Sequence, residues 1–358
     1  MDVEKFCARV HDCGVDLIKY FGLQQLTQLQ NQSGGNLGGH PPVVCPQLRW
    51  FVWVESQNIS LLTHKMNQIE HKFVEIRGVK LHIAELGTGD KVVVFLHGFP
   101  EIWYSWQHQM IAVANAGYRA IAPDIRGYGQ FELPSEPEKA TFKDLSDDVL
   151  AILDFFNVRK KRCRWANCLS FCDVVAHPER VSGVVTLGIP YTPAHSFAYD
   201  EQLPEGFYVS RWQIPGRAED DFGRFDVITV VRNIYILFSK SDIPTAKENK
   251  EVMDMVDPST PLPPWFTEED LSAYAAASLH EDIRVTNTKV LAPALFVMGE
   301  KDYVLKLPGM EKYLKSEEPK EYVPNLEIVF FPEGSHFVQE QFPDKVNQLI
   351  MGFLIDHL

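Results

Sequence analysis

Four side chains carry the chemistry that can be read from this sequence: His336, Asp302, Cys168 and Asp173. A histidine titrates near neutrality and so serves as a general base. A carboxylate beside it fixes its tautomer and orientation. Asp302 follows Met298-Gly299-Glu300-Lys301, and His336 stands in Gly334-Ser335-His336-Phe337, each just past an apolar run. Both also have ordinary uses, since an aspartate past a strand can cap a turn and a loop histidine can simply be solvated. A base needs a nucleophile, and residues 159–176, RKKRCRWANCLSFCDVVA, offer two. Ala166-Asn167-Cys168-Leu169-Ser170 places Cys168 at the apex of a stretch with small residues two positions either side, as a sharp strand-to-helix turn requires. Asp173 is the segment's one carboxylate, but Phe171 and Val175 suit a tight turn poorly. A third reading is that the segment carries no nucleophile.

Strands must bring such residues together. Val92 to Leu96 is a short β-branched run bounded by Gly89-Asp90 and Gly98, which predicts a strand buried on both faces. His97-Gly98-Phe99-Pro100 ends it abruptly, and a helix is expected from about Trp106 to Ala116, stopped by Gly117. Alternation across Arg77-Gly78 predicts a hairpin. Further strands are expected over residues 118–123, 182–189, 294–298 and 326–331, with helices over 144–156 and from Pro343 onward. Strands alternating with helices define an α/β class with a doubly wound, mainly parallel sheet. Residues 191–287 interrupt the alternation and predict a helical insertion, which includes residues 226–238. Residues 1–65 differ: one amphipathic helix is expected at their start, then a Gly-rich linker over 31–42. That extension shows no chemistry and is expected to be partly disordered.

Composition narrows the function class. The 358 residues suffice for a large core, and 34 basic against 48 acidic residues leave a net charge of −14. That balance argues against nucleic acid or an anionic membrane as partner, and it makes the basic run 159–164 a solvated segment rather than a targeting patch. No apolar run reaches transmembrane length, and the first residues lack a secretory pattern, so the expected setting is cytoplasmic with reduced thiols. The six cysteines form no CxxC pair. Neither a metal nor a cofactor is expected.

With His-Gly-Phe-Pro after a strand, Asp124-Ile125-Arg126-Gly127-Tyr128-Gly129 after the next, and two late strands leading to Asp302 and His336, the chain resembles the α/β-hydrolase family, and in particular the plant-type soluble epoxide hydrolases. The likeness runs from about residue 66 to the end. It implies a core over residues 66–190 and 288–358 with a helical cap over 191–287. It implies Asp302 as charge-relay acid and His336 as base, following a nucleophile in the order nucleophile, acid, histidine. It also implies an oxyanion loop His97-Gly98-Phe99-Pro100, with the Phe99 N–H aimed at developing charge and a cis Phe99–Pro100 bond. Trp103 and Trp106 would line the pocket, and Tyr208 would be one of two tyrosines that hydrogen-bond an epoxide oxygen.

Two segments depart from the family pattern. The family nucleophile is an aspartate in a Gly-x-Asp-x-Gly-like elbow, and residues 159–176 contain none. Their basic start makes a poor buried central strand, and eighteen residues are tight for a strand, an elbow and a helix, which need roughly twenty. The segment carrying the second cap tyrosine is missing, although Tyr274 lies nearby in a different context. The function implied is opening of a small apolar epoxide to a vicinal diol through a covalent ester. The alternatives are a thiol esterase using Cys168, His336 and Asp302, and a silent small-molecule-binding protein. A thiol that opens an epoxide forms a thioether that water cannot cleave, so Cys168 would turn over esters only.

Overall fold

The computed structural model describes residues 68–129, 142–158, 163–166, 177, 179–192, 203–275 and 289–357. The extension expected over residues 1–65 lies outside the described residues, and so do Cys168 and Asp173. The expected hairpin forms from β1 (Glu70–Ile76) and β2 (Val79–Leu86). Arg77 and Gly78 join them with φ of 50° and 77°, the left-handed pair that a two-residue hairpin loop needs. Then follow β3 (Val92–Phe95), a 3-10 turn at Trp103–Trp106, α1 (Gln107–Asn115), β4 (Arg119–Pro123), α2 (Phe142–Phe155), β5 (Cys163–Ala166) and β6 (Val181–Leu187).

Between β6 and the next strand lies the helical insertion: α3 (Tyr208–Trp212), α4 (Arg217–Phe222), α5 (Val227–Phe238) and α6 (Glu268–Ala275). Helix α5 starts where its sequence allows, because the Asp226 carboxylate accepts the Thr229 N–H at 2.7 Å as an N-cap. The sheet resumes with β7 (Ala294–Gly299), α7 (Met310–Leu314), α8 (Glu318–Tyr322) and β8 (Leu326–Phe331). Helices α9 (Val338–Gln341) and α10 (Pro343–Asp356) end the chain. Pro343 opens α10 because the first helical turn needs no N–H there.

Strand order is β1-β2-β4-β3-β5-β6-β7-β8. β1/β2 and β2/β4 pair antiparallel, and every later neighbour pairs parallel. The strands β3 and β7 are buried along their whole length, as expected where helices cover both faces. Alternation divides β3 between two cores. Val92 and Val94 join the cluster that receives α5, whereas Val93 and Phe95 join the one sealed by α1 and α10 through Met110, Val113, Val346 and Ile350. Each such side chain contributes about 1.5–3 kcal/mol by leaving water.

One expectation needs correction. Residues 159–164 were expected to make a poor central strand, yet Cys163–Ala166 pairs in parallel with β3 on one side and β6 on the other, with Phe95 opposite Ala166 and Ala166 opposite Val185. The described strand is four residues long, and it gives Cys163 and Arg164, the end of that run, strand positions.

Candidate active site

The parallel strands all end at one edge of the sheet, where loops converge. Two of these loops are held together by missing side chains. A Cβ on Gly299, the last residue of β7, would lie 2.1 Å from the Gly334 carbonyl oxygen and 2.6 Å from that of Ser335. Because there is none, the loop after β7 and the loop after β8 touch backbone to backbone, with Lys301 N–H donating to the Gly334 carbonyl at 2.9 Å.

That contact sets Asp302 against His336. The His336 Nδ1 lies 2.9 Å from the Asp302 Oδ2. Since the carboxylate can only accept, Nδ1 carries the proton and Nε2 is left as the base. Asp302 cannot swing away, because its other oxygen caps the following 3-10 turn, Tyr303–Lys306, by accepting Val304 N–H at 2.9 Å. The same aspartate thus fills the cap role and the acid geometry. Burial alone would lower the His336 pKa, but the charge and hydrogen bond of Asp302, with Glu101 adding, carry it above the ordinary imidazole value. Gly188, at the end of β6 with φ of 74°, leaves room beside the ring: a Cβ there would sit 3.1 Å from His336 Cε1.

The loop after β3 is braced from several sides. The Phe99–Pro100 bond is cis. His97 is fully buried, its Nδ1 2.9 Å from the Gly98 carbonyl while its Nε2 accepts Ile125 N–H at 3.0 Å. Burial lowers its pKa, so it is a neutral strut between the loops after β3 and β4. The Asp124 carboxylate accepts Trp103 N–H at 2.9 Å and is held from behind by His82, whose Nδ1 lies 2.8 Å away; His82 Nε2 in turn meets His71 Nδ1 at 3.0 Å. The Gly98 N–H donates to Glu101 at 2.9 Å, and the Gln339 amide donates to the other Glu101 oxygen. Burial raises the Glu101 carboxyl to about 7, against the Gly98 N–H, the nearby His336 and the Gln339 amide.

From the insertion, Tyr208 opens α3 and brings its hydroxyl 2.9 Å from that of Tyr303, the residue next to Asp302. Phe238 lies against both rings and against His336, at centroid separations of 4.9, 5.1 and 5.8 Å. Phe99 meets the insertion through Trp212 and Phe222 at 5.9 and 6.1 Å. Tyr274 is placed elsewhere: it and Tyr235 donate to opposite oxygens of the half-buried Glu340 at 3.0 and 2.8 Å.

The structure thus brings together Asp302, His336, Tyr208 and the Gly98-Phe99-Pro100 loop. It does not bring in both tryptophans. Trp106, expected at the pocket, is 1% exposed and packs against Phe95 in the core beneath α1. Trp103 turns to the β1–β2 hairpin, 4.8 Å from His71. Sequence alone does not say which sheet face an aromatic after a turn will take. Glu101, Tyr303 and Glu340 were missed. Their signal was faint: an acid among apolar residues beside Pro100, a tyrosine abutting Asp302, and a glutamate four residues after His336. Among the described residues no helix is long and apolar enough to cross a membrane.

These features are those of a hydrolase edge, and comparison with known proteins agrees. Residues 91–343 match the α/β hydrolase fold family. An epoxide hydrolase of Siraitia grosvenorii is 32% identical over 316 residues, covering 81% of this chain and 99% of that protein. A bifunctional epoxide hydrolase of Rattus norvegicus is 28% identical, covering 80% of this chain and 56% of its own. Among solved structures, an epoxide hydrolase from Vigna radiata superposes with a TM-score of 0.71 at 30% identity, over 81% of this chain and 99% of that one. The chain belongs to the α/β-hydrolase family. Within that family its likeness is to plant epoxide hydrolases, which makes it an epoxide hydrolase-like α/β-hydrolase.

Proposed function

We propose that this chain hydrolyses a small apolar epoxide to its vicinal diol in two covalent steps. The observation that carries the reading is the Asp302–His336 pair at 2.9 Å, its carboxylate buried and Nε2 left to act as base. A carboxylate, for which Asp173 is the candidate in residues 159–176, attacks one epoxide carbon. The ring C–O bond breaks, and its oxygen takes the electron pair and the Tyr208 proton. His336 then takes a proton from water as that water attacks the ester carbonyl, and the Phe99 N–H stabilises the oxyanion. Collapse frees the diol, restores the carboxylate and lets the imidazolium return its proton through solvent to Tyr208. On this reading residues 191–287 cap a core formed by 66–190 and 288–358, and Phe238 and Phe99 supply apolar wall for the substrate.

One observation favours a second reading. Strand β5 ends at Ala166, which leaves Cys168 two residues beyond it and Asp173 seven. A nucleophile so soon after the strand suits an elbow. Cys168 with His336 and Asp302 would hydrolyse esters through a thioester. The two readings separate on products. Incubation with trans-stilbene oxide is expected to give diol with the wild type and with Cys168→Ala, and none with Asp173→Asn. Absence of diol at high protein load overturns the epoxide reading. Release of nitrophenol from 4-nitrophenyl acetate, lost in Cys168→Ala, establishes the esterase, and ligand binding without either product leaves a non-catalytic binder.

A further inference from the structure

We infer that His71 is a second nucleophile of this chain, a surface imidazole that takes the acyl group of activated acyl donors such as aryl esters on Nε2 and passes it to water. It ends a relay, Asp124–His82–His71, built across β2 at the opposite end of the strand order from β7 and β8. The site is therefore separate from Asp302 and His336 and works whatever their substrate. Asp124 and His82 are each 1% exposed, whereas His71 is exposed on the edge strand β1. The protons are fixed from the buried end. The Asp124 carboxylate only accepts: one oxygen takes the Trp103 N–H at 2.9 Å, and the other lies 2.8 Å from His82 Nδ1, so that nitrogen carries the proton. The neutral His82 ring then has only an acceptor at Nε2, and His71 Nδ1, 3.0 Å away, donates to it. That leaves the His71 lone pair on Nε2, which has no hydrogen-bond partner among the described residues.

The ring is held and has room beside it. It stacks on His82 at 5.2 Å and meets Trp103 edge-on at 4.8 Å. Phe73, two residues along β1 on the same face and 48% exposed, offers an aryl leaving group an apolar surface. Burial and the facing His82 hold the His71 imidazole below its ordinary value against the pull of Asp124, so the ring stays neutral above pH 7. The step balances within the relay. Nε2 attacks the ester carbonyl, the C–O bond to the aryl group breaks, and the phenolate leaves with the electron pair. The acylated ring is cationic, and its Nδ1 proton passes to His82 Nε2, where the new imidazolium faces the Asp124 carboxylate. Water then attacks the acyl carbonyl and gives a proton to solvent. His82 returns its proton to His71 Nδ1 as the C–N bond breaks, which frees the acid and restores the Nε2 lone pair.

Acylation can be located directly. Diethyl pyrocarbonate, a small activated acyl donor, is reacted at pH 8 with the full chain and N-acetylhistidine in one solution, where both imidazoles are neutral, and the modified histidines are identified by peptide mass. Wild-type His71 is expected to react roughly five- to tenfold faster than N-acetylhistidine, the worth of a hydrogen bond to His82 that becomes charge-assisted as the ring turns cationic. His82→Gln keeps a hydrogen-bond acceptor but no basic nitrogen, and is expected to remove that advantage while leaving the rate at His357 unchanged. Turnover is read with 4-nitrophenyl acetate in a Cys168→Ala, His336→Ala background, which removes the thiol-esterase reading. Nitrophenol release there is expected to pass one equivalent and to fall about fivefold when His71→Gln is added. A wild-type His71 no faster than N-acetylhistidine overturns the inference, and so does an advantage that survives His82→Gln. Release that stops at one equivalent, or that His71→Gln leaves untouched, overturns the passage of the acyl group to water.

Discussion

The Gly334 carbonyl occupies the place a side chain on Gly299 would need, 2.1 Å from where its Cβ would stand. The two residues end β7 and follow β8, so the contact decides how closely the loops bearing Asp302 and His336 approach.

Gly299→Ala therefore acts on the pair through the backbone. The methyl meets carbonyl oxygens of Gly334 and Ser335, which have no flexible end to move, so the loops must part and the Lys301–Gly334 hydrogen bond stretches from 2.9 Å. We expect a loss of ~1–3 kcal/mol in a urea titration. Activity is expected to fall by ~100-fold at temperatures where the variant stays folded, because a shift of about 1 Å in catalytic geometry is that costly. Wild-type rates in a folded variant would refute this.

The pH profile follows from His336. Its pKa is raised above 6.5, and the base must be unprotonated to accept a proton from water, so kcat/KM should fall with acidification through an apparent pKa above 6.5. Asp302→Asn removes the charge and weakens the hydrogen bond that raise the pKa. The acid limb should move to lower pH while the plateau drops by roughly 10²–10⁴-fold, the worth of an oriented base. Initial rates from pH 5 to 9 check both, and an acid limb that stays put in Asp302→Asn sinks the coupling.

How much of this was legible in the sequence depends on how locally each feature is encoded. The strands at 92–95 and 326–331 and the helix from Pro343 could be read because continuous apolar runs, glycine stops and a helix-starting proline lie within a few residues of one another. The placing of Asp302 and His336 at one sheet edge was legible because each lies a few residues past such a strand. Glu101 was not, since its partner Gln339 lies 238 positions away and nothing local to Pro100 announces it. Tyr303 reads as one more core aromatic until α3 brings Tyr208 to it. Trp106 was misplaced because a residue's type does not reveal which face of the sheet its turn will present.

Glu101 should leave a mark on stability. A carboxyl whose folded pKa is raised contributes stability that is fully present below its unfolded value and lost as pH rises. Here the window runs from 4.5 to about 7, and its full span is worth ~3 kcal/mol. The raised pKa of His336 acts in the same direction, its share being lost above 6.5. Glu101→Gln abolishes the Glu101 share. The amide has one acceptor oxygen for two donors, Gly98 N–H and the Gln339 amide, so at pH 5 the variant should be less stable by ~1–3 kcal/mol. As the wild type loses its share, the gap should narrow or close by pH 8. Parallel Tm curves for the two proteins would rule this out.

Glu340 gives the sharpest contrast between two substitutions at one site. It follows His336 by four residues, and its two oxygens accept the hydroxyls of Tyr235 from α5 and Tyr274 from α6, both phenols lying in the core. Burial and the neighbouring Glu101 push its pKa well above the ordinary carboxylate value. By the same sign argument, ionising it as pH rises costs stability. Glu340→Gln keeps an acceptor for one phenol and offers an N–H to the oxygen of the other, without the titration. It should therefore match the wild type at pH 5 and exceed it in Tm at pH 8. Glu340→Ala takes from both core phenols the acceptor they share, and an unsatisfied group costs ~1–3 kcal/mol, so it should be destabilised at both values. Tyr235→Phe in the Glu340→Ala background should recover part of that loss, because it removes one orphaned hydroxyl. If Glu340→Gln tracks Glu340→Ala instead, the carboxylate charge and not the pair of hydroxyl contacts is what joins α5 and α6 to the loop after β8.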